Sequence, residues 1–389
     1  MTSFRRQPGF DPARFLRDYW QQKPLVIENF VSAFDDPISA EELAGLACED
    51  VVESRLIRQD ASTGQWSLSH GPFPEALFPE LGDRDWTLLV QAVDQWDDDV
   101  ADLYALFDFL PRWRIDDIMV SFAAVGGGVG AHFDYYDVFL LQGSGQRRWQ
   151  LGPPCDAATP VLNQHGISLL QAFAATEEYL LNPGDVLYVP ARIAHRGIGM
   201  EPGLCYSIGF RAPDLAAALE GVSDLLIDRA DPGTRFSDPA PVQPPAHGGE
   251  IAWQQLAAFW ERLQADFARP DLFRRWFGAA VTRPRYAELI EARVPALTDA
   301  ELAPALAAAK QLSRHPGSRF AFMTLPTQDC LWLFVDGEVY ELPATELDLV
   351  SQLCEPAIEE LQEIYTISRT DAGRGLVLEL LNRGSLLLA

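Results

Sequence analysis

The pattern His-x-Asp occurs once in the chain, at His132-Phe-Asp134. On an extended segment, residues two apart point to the same side, so this imidazole and carboxylate can reach one metal ion together. Just before them runs Val125-Gly-Gly-Gly-Val-Gly130, a backbone bare enough for close approach. A second histidine, His195, comes 61 residues after Asp134, behind Asn182-Pro-Gly-Asp-Val-Leu-Tyr-Val-Pro190. That is a turn, a strand and a proline stop, which puts His195 where a strand hands over to a loop. Two imidazoles and one carboxylate on neighbouring strands would form the facial triad of a non-haem Fe(II) oxygenase, with three positions open. A chain with six histidines and 56 acidic residues also meets this spacing by chance. A hydrogen-bonded loop histidine and an ordinary strand-end histidine would look the same, and spacing alone leaves both readings open.

An oxygenase of this kind uses a co-substrate that chelates iron and is held at its far end by a cation. The stretch Phe139-Leu-Leu-Gln-Gly-Ser-Gly-Gln-Arg-Arg-Trp-Gln150 reads as a hairpin that offers Arg147 and Arg148. With Ser144-Gly145 as a two-residue loop, Gln142 pairs with Arg147. Even-numbered positions up to Gln142, Asp134 included, then share a face with Arg147. Eight residues of straight strand would span about 26 Å, too far for one small ligand, so a bend is expected near Tyr135–Asp137. Arg147 is the expected anchor and Arg148 a surface salt-bridge residue.

The elements that must carry these groups follow from the patterning. Residues 1–213 hold short apolar runs such as Ile118–Phe122, Asp137–Leu141 and Asp185–Val189, separated by Gly, Pro and Asp. Such runs suggest an all-β sandwich or barrel. Helices are expected at Pro12–Trp20, Ala40–Ala47 and, as one kinked amphipathic helix, Thr87–Phe107. From 214 the pattern turns helical over Asp214–Arg229, Glu250–Arg269, Leu272–Ala280 and Arg285–Arg293, interrupted by a proline-rich linker at 231–249. Its broad apolar faces suggest self-association. Residues 298–389 open with a capping box at Thr298 and Glu301. They continue into two strands about Asp336-Gly337, a strong hairpin signal, which makes a winged-helix-like module plausible.

Composition narrows the function classes. With 30 basic against 56 acidic residues, the net charge is −26. This argues against a protein that grips phosphate backbones, and so against direct nucleic-acid binding. It suits a soluble acidic surface or a basic partner. A hydrophobic content of 48% excludes a disordered chain. Five scattered cysteines without a CxxC pair give no disulfide framework or zinc site. Neither a signal peptide nor a membrane span is apparent, so a cytoplasmic protein is expected.

Trp113-Arg-Ile-Asp-Asp-Ile-Met-Val-Ser-Phe122, followed by the whole run from Gly126 through His132 and Asp134 to Gly145, closely resembles the bacterial ribosomal oxygenases of the JmjC class. Trp86-Thr-Leu-Leu-Val-Gln-Ala-Val93 and Tyr206-Ser-Ile-Gly-Phe-Arg-Ala-Pro213 resemble the same family. The resemblance implies a mainly β, double-stranded β-helix (cupin-like JmjC) domain at 1–213. An α-helical dimerisation segment at 214–297 and a winged-helix-like C-terminal domain at 298–389 would follow. It implies Fe(II), 2-oxoglutarate and O2 as cofactor and co-substrates. The implied reaction is hydroxylation of an arginine β-carbon in large-subunit ribosomal protein L-sixteen, and the implied assembly is a homodimer. Carried over, His132, Asp134 and His195 would be the iron ligands, Arg147 would bind the 2-oxoglutarate carboxylate, and Ser207 would be a further candidate for that pocket. The chain departs from relatives at Ala123, Ala131 and Cys205.

A β-hydroxylase of arginine must hold a guanidinium, for which a carboxylate is the directional partner. Asp117 and Met119 share one face of the strand leading to the glycine loop, and Tyr136 flanks the triad. Asp117 is the expected guanidinium partner, with Met119 and Tyr136 packing the aliphatic stem. A solvated strand start and a core methionine would give the same pattern. Three rivals remain at this stage: a JmjC hydroxylase or demethylase of another residue, a non-catalytic acidic scaffold for ribosomal proteins, and a cupin isomerase. The last lacks the additional histidine or glutamate ligands.

Overall fold

The computed structural model describes residues 4–60, 62–164, 166–237, 247–251, 253–325, 329–355 and 370–388. It separates into two compact units, Met1–Ala212 and Pro213–Ala389.

The first unit begins with α1 (Pro12–Asp18), β1 (Leu25–Ile27) and α2 (Ala40–Leu46). Both helices start on side-chain caps, Asp11 in α1 and the Ser39–Glu42 capping box in α2. Strands β2 (Ser54–Gln59), β3 (Trp66–His70) and β4 (Trp86–Val90) follow, then the short α3 (Asp98–Ala101) and β5 (Ile115–Ala123). The rest of the unit is strand: β6 (Val138–Gln142), β7 (Arg147–Pro154), β8 (Val161–Gln164), β9 (Ile167–Leu170), β10 (Glu177–Leu181), β11 (Val186–Val189), β12 (Ile193–Gly199) and β13 (Gly203–Phe210). Eight strands form one sheet in the order β1-β11-β6-β13-β5-β4-β2-β3, while β10-β7-β12 form a second and β8-β9 a separate hairpin.

Alternation along the strands decides what each face of the large sheet meets. Val138 and Leu140 of β6, with Leu187 and Val189 of β11, turn inward against Trp149 and Leu151 of β7 and Leu181 of β10. Their neighbours Phe139, Leu141, Val186 and Tyr188 point to the opposite face, into the larger core under the N-terminal helices. Phe139 is fully buried there, with ring centroids 4.8 Å from Phe107, 4.9 Å from Tyr188 and 5.5 Å from Phe15. The outer face thus carries the main apolar core. The interior between the sheets is left partly free for polar groups.

Two expectations fail in this unit. Thr87–Phe107 is no helix: Trp86–Val90 is β4, paired with β2 and β5, and only Asp98–Ala101 is α-helical. Thr87, Leu88, Leu89 and Val90 are all buried, and the sheet supplies them with partners on both edges, so pairing overrides the helical spacing. Nor do β6 and β7 form a hairpin. β6 pairs with β11 and β13, and β7 with β10 and β12, so the chain crosses between sheets at Gly143–Gln146. Odd-numbered Arg147 and Trp149 nevertheless face inward, as the parity argument requires, because β6 and β7 present even and odd positions to one interior.

The second unit contains α4 (Leu215–Arg229), α5 (Trp253–Phe267), α6 (Pro270–Val281) and α7 (Asp299–Ala308). Residues 238–246 of the proline-rich linker lie outside the described residues. The expected helix at Arg285–Arg293 reduces to a 3₁₀ turn at Ala287–Leu289; the stretch between Pro284 and Pro295 is too short to propagate a helix. After β14 (Leu312–Arg314), β15 (Phe320–Leu325), β16 (Cys330–Val335) and β17 (Glu338–Pro343) form a meander; α8 (Leu347–Cys354), α9 (Asp371–Arg383) and β18 (Leu386–Leu388) complete the unit. The capping box joins Thr298 to Glu301, and Asp336 and Gly337 turn the hairpin with φ of 53° and 86°.

Phe139→Ala removes the ring that packs against Phe15, Phe107 and Tyr188. It should cost about 3–5 kcal/mol in the first unit. Denaturant titration followed by near-ultraviolet circular dichroism would show this as an earlier first transition, and an unshifted transition would contradict the assignment.

Candidate functional site

The metal-ligand candidates come together at one end of the β6–β13 interior. His132 and His195 face each other as an antiparallel pair and exchange both backbone hydrogen bonds, His132 N to His195 O at 3.0 Å and His195 N to His132 O at 2.8 Å. Arg192 N donates to Asp134 O at 2.6 Å, so the 132–134 segment is tied along its length to the start of β12. The bare glycine loop makes this possible. A Cβ on Gly128 would run into the carbonyl oxygen of Gly197, two residues beyond His195.

The side chains close the triad. Asp134 Oδ2 lies 3.8 Å from His132 Nε2 and 3.6 Å from His195 Nε2, and all three ligand atoms fall within 4.8 Å of one another. Each ring is oriented from behind: His132 Nδ1 lies 3.1 Å from Gly130 O and His195 Nδ1 2.9 Å from Ile193 O. A carbonyl oxygen only accepts, so each Nδ1 carries the hydrogen and each Nε2 keeps a lone pair for the shared centre. Burial, then the neighbouring His132, pushes the His195 imidazole down to about 4, so it is neutral near pH 7. Two imidazole Nε2 atoms and a carboxylate oxygen converging from one side fit a divalent transition metal with open positions toward the cavity.

That cavity has a volume of about 310 Å³. Arg147, Met119, Tyr136 and Ser207 line it together with the triad. Arg147 enters from β7 and is 7% exposed; its Nη1 donates to Ser121 Oγ at 3.0 Å. Its Nη2 is buried without a hydrogen-bond partner, and no carboxylate pairs with it among the described residues. Burial draws its pKa down, although a guanidinium stays charged at any working pH. A buried cation with an unused donor fits a ligand carboxylate. Arg148, the expected surface salt-bridge residue, is instead half-buried and has no ion pair among the described residues. It alternates with the inward-facing Arg147 and Trp149, and the acid on its face of the neighbouring strand, Glu178, is taken by Gln150, whose Nε2 donates to Glu178 Oε2 at 2.8 Å.

Met119 and Ser207 stand directly opposite each other on β5 and β13. Tyr136 is 43% exposed overall, yet burial of its hydroxyl end, then Asp134 and Asp117, holds the phenol well above its ordinary value. Asp117 is 4% exposed and does not form part of the cavity wall; its Oδ2 accepts from Gln91 Nε2 at 2.6 Å. Cys205 is fully buried opposite Ser121, where burial raises its thiol pKa and Arg147 opposes the rise.

Sequence reasoning missed one whole wall. Arg55 and Ile57 of β2, Leu68 of β3 and Leu89 of β4 line the cavity, and so do Ile167 and Ser168 of β9. The turn-rich Asp60–Gln65 stretch between β2 and β3 is the available signal, but the helical spacing of Thr87–Phe107 hides β4. Without β4, nothing joins β2 to β5.

Residues 102–218 match the family model of the JmjC domain, and residues 261–387 match that of the ROXA-like winged helix. Ribosomal protein uL16 3-hydroxylase of Escherichia coli (strain K12) is 40% identical over 310 residues, covering 78% of this chain and 80% of that protein. The probable ribosomal oxygenase of Haemophilus influenzae is 36% identical over 292 residues, or 72% of this chain and 70% of that one. The X-ray structure of E. coli ycfD covers both chains completely with a TM-score of 0.87 at 33% identity. YcfD in complex with cobalt and 2-oxoglutarate covers 99% of each chain with a TM-score of 0.82 at 33% identity. The architecture is therefore a JmjC cupin domain followed by a helical region and a ROXA-like winged helix. With this level of identity across most of both chains, the protein belongs to the bacterial JmjC ribosomal oxygenases, the family of the uL16 3-hydroxylases.

Proposed function

We propose that this chain is an Fe(II)- and 2-oxoglutarate-dependent protein hydroxylase that acts on the β-carbon of an arginine in ribosomal protein uL16. The observation that carries this reading is the buried, unpaired Arg147 in the same cavity as the converging His132, Asp134 and His195. A scaffold that merely binds ribosomal proteins has no use for either feature. In this reading His132, Asp134 and His195 hold the metal. Arg147 takes the far carboxylate of 2-oxoglutarate, with Ser207 in the same wall. Bound there, metal and co-substrate supply oxygen activation: one atom of O2 enters the substrate C–H bond, while the other leaves in succinate as CO2 is released.

The chain's own contribution is position. Backbone carbonyls behind His132 and His195 keep both rings aimed and in one tautomer. Met119 and Tyr136 flank the aliphatic stem of the target arginine. The Tyr136 hydroxyl stays protonated, a donor held near Asp134. Asp117 supplies negative charge from behind the wall, and its influence on Tyr136 supports a field that reaches the cavity. The acidic balance of the whole chain suits a strongly basic ribosomal protein.

The reading extends to the assembly and the compartment. The helical segment leaves Leu215, Ile227, Trp253, Phe259 and Trp260 exposed, far more apolar surface than a solvated helix pair needs. A second copy of this chain is the proposed occupant. All five cysteines are free thiols, which supports a cytoplasmic, reducing setting. Among the described residues no helix is long and apolar enough to cross a membrane.

Incubation of the Fe(II)-loaded chain with 2-oxoglutarate, O2 and recombinant uL16 should add one oxygen to a single arginine, read by mass spectrometry of the digest. The His132→Ala chain should add none. Succinate formation without a modified arginine would discard the substrate while keeping the oxygenase. Arg147→Met should raise the KM for 2-oxoglutarate by about ten- to a hundred-fold, the worth of a charge-assisted bond. An unchanged KM would remove Arg147 from the co-substrate site. Light scattering at micromolar concentration should return twice the chain mass, and a monomeric value would exclude the dimer.

A further inference from the structure

Arg147 is not the only guanidinium in the cavity. Arg55 enters it from β2, across the sheet on the same row: Arg55 stands opposite Leu89, and Leu89 opposite Ser121, the residue that Arg147 bonds. Two strand spacings, about 10 Å, separate the Arg55 and Ser121 backbones. The two cations thus enter from different strands, Arg55 from β2 and Arg147 from β7.

Arg55 is held in place by a relay of fixed polarity. Its Nη2 donates to Gln91 Oε1 at 2.7 Å, and Gln91 Nε2 donates to Asp117 Oδ2 at 2.6 Å. A guanidinium only donates and an ionised carboxylate only accepts, so the Gln91 amide can face in one direction alone. Met119 Sδ lies 3.7 Å from the same Nη2 and packs against it. The remaining detail is the informative one. Arg55 Nε is buried and has no acceptor, and no carboxylate forms an ion pair with Arg55 among the described residues. The relay holds the guanidinium through Nη2, and an N–H left unused on a group fixed in this way is costly unless a ligand completes it.

The chemistry of the proposed substrate supplies that acceptor. To bring an arginine β-carbon to the metal, the chain must draw the substrate's own backbone into the cavity, because the β-carbon is only two bonds from the carbonyl carbon. A carbonyl stripped of water there needs a donor. The substrate guanidinium cannot be the partner, since like charges repel, and the co-substrate carboxylates belong to Arg147 and the metal. We infer that Arg55 is a positioning residue whose Nε–H receives a main-chain carbonyl of the segment carrying the target arginine. This rests on the reading of the chain as a protein hydroxylase.

The test is binding of a uL16 peptide containing the target arginine to the Fe(II)-loaded chain with 2-oxoglutarate under anaerobic conditions. Arg55→Met and Arg55→Lys should each weaken the peptide by about tenfold or more, because neither offers the Nε–H fork. Affinity for 2-oxoglutarate and its peptide-independent turnover should stay unchanged in both. Peptides with one amide replaced by an ester, a weaker acceptor, should lose affinity at one position with the native chain and not with Arg55→Met. Native-like peptide affinity in the folded variants, or ester losses equal in both chains, would overturn the assignment of Arg55. Failure of the native chain to bind any uL16 peptide, with 2-oxoglutarate turnover intact, would overturn the substrate reading and this inference with it.

Discussion

Two backbone hydrogen bonds between His132 and His195 carry the site. They join a loop leading into the large sheet to a strand of the small one, so the ligand geometry is set by main chain. Side-chain rotamers are then constrained from behind by the Nδ1–carbonyl contacts, and Arg192 extends the tie to Asp134. A site built in this way is rigid because any shift of one ligand must break paired backbone bonds. The glycine loop is its precondition, since a side chain at position 128 would hold the two segments apart.

The sandwich divides its labour between its two faces. The outer face of the large sheet buries the aromatic cluster around Phe139 and provides the stability. The inner face is apolar toward β10 and β11 and polar toward β2, β4 and β5, where Arg55, Met119 and Ser121 stand. Charged groups can occupy an interior of this kind because the folding energy comes from elsewhere. Arg147, left with one buried donor unmet, is a local instability that a bound carboxylate would relieve under the proposed function.

Charge acts at two ranges. Across the surface, the excess of acidic residues favours encounter with a basic protein and disfavours phosphate backbones. Inside the cavity the sign reverses at Arg55 and Arg147, which suits an anionic co-substrate and main-chain carbonyls.

Much of this was legible in the amino-acid order, and for local reasons. The capping box at Thr298 and Glu301 and the hairpin at Asp336-Gly337 depend on neighbours a few residues away, so pattern alone identifies them, whereas the spacing of His132, Asp134 and His195 made them candidates without deciding that they meet. The inward side of Arg147 followed from strand parity even though the hairpin invoked to derive it does not exist. What only tertiary structure decided was everything that depends on distant pairing. Trp86–Val90 becomes a strand because β2 and β5 flank it, Asp117 is drawn behind the wall by Gln91, and Arg55 reaches the cavity across three strands of sheet. Local spacing cannot encode these, because burial and hydrogen-bond partners there come from segments 26 or more residues away, and their energy outweighs local propensity.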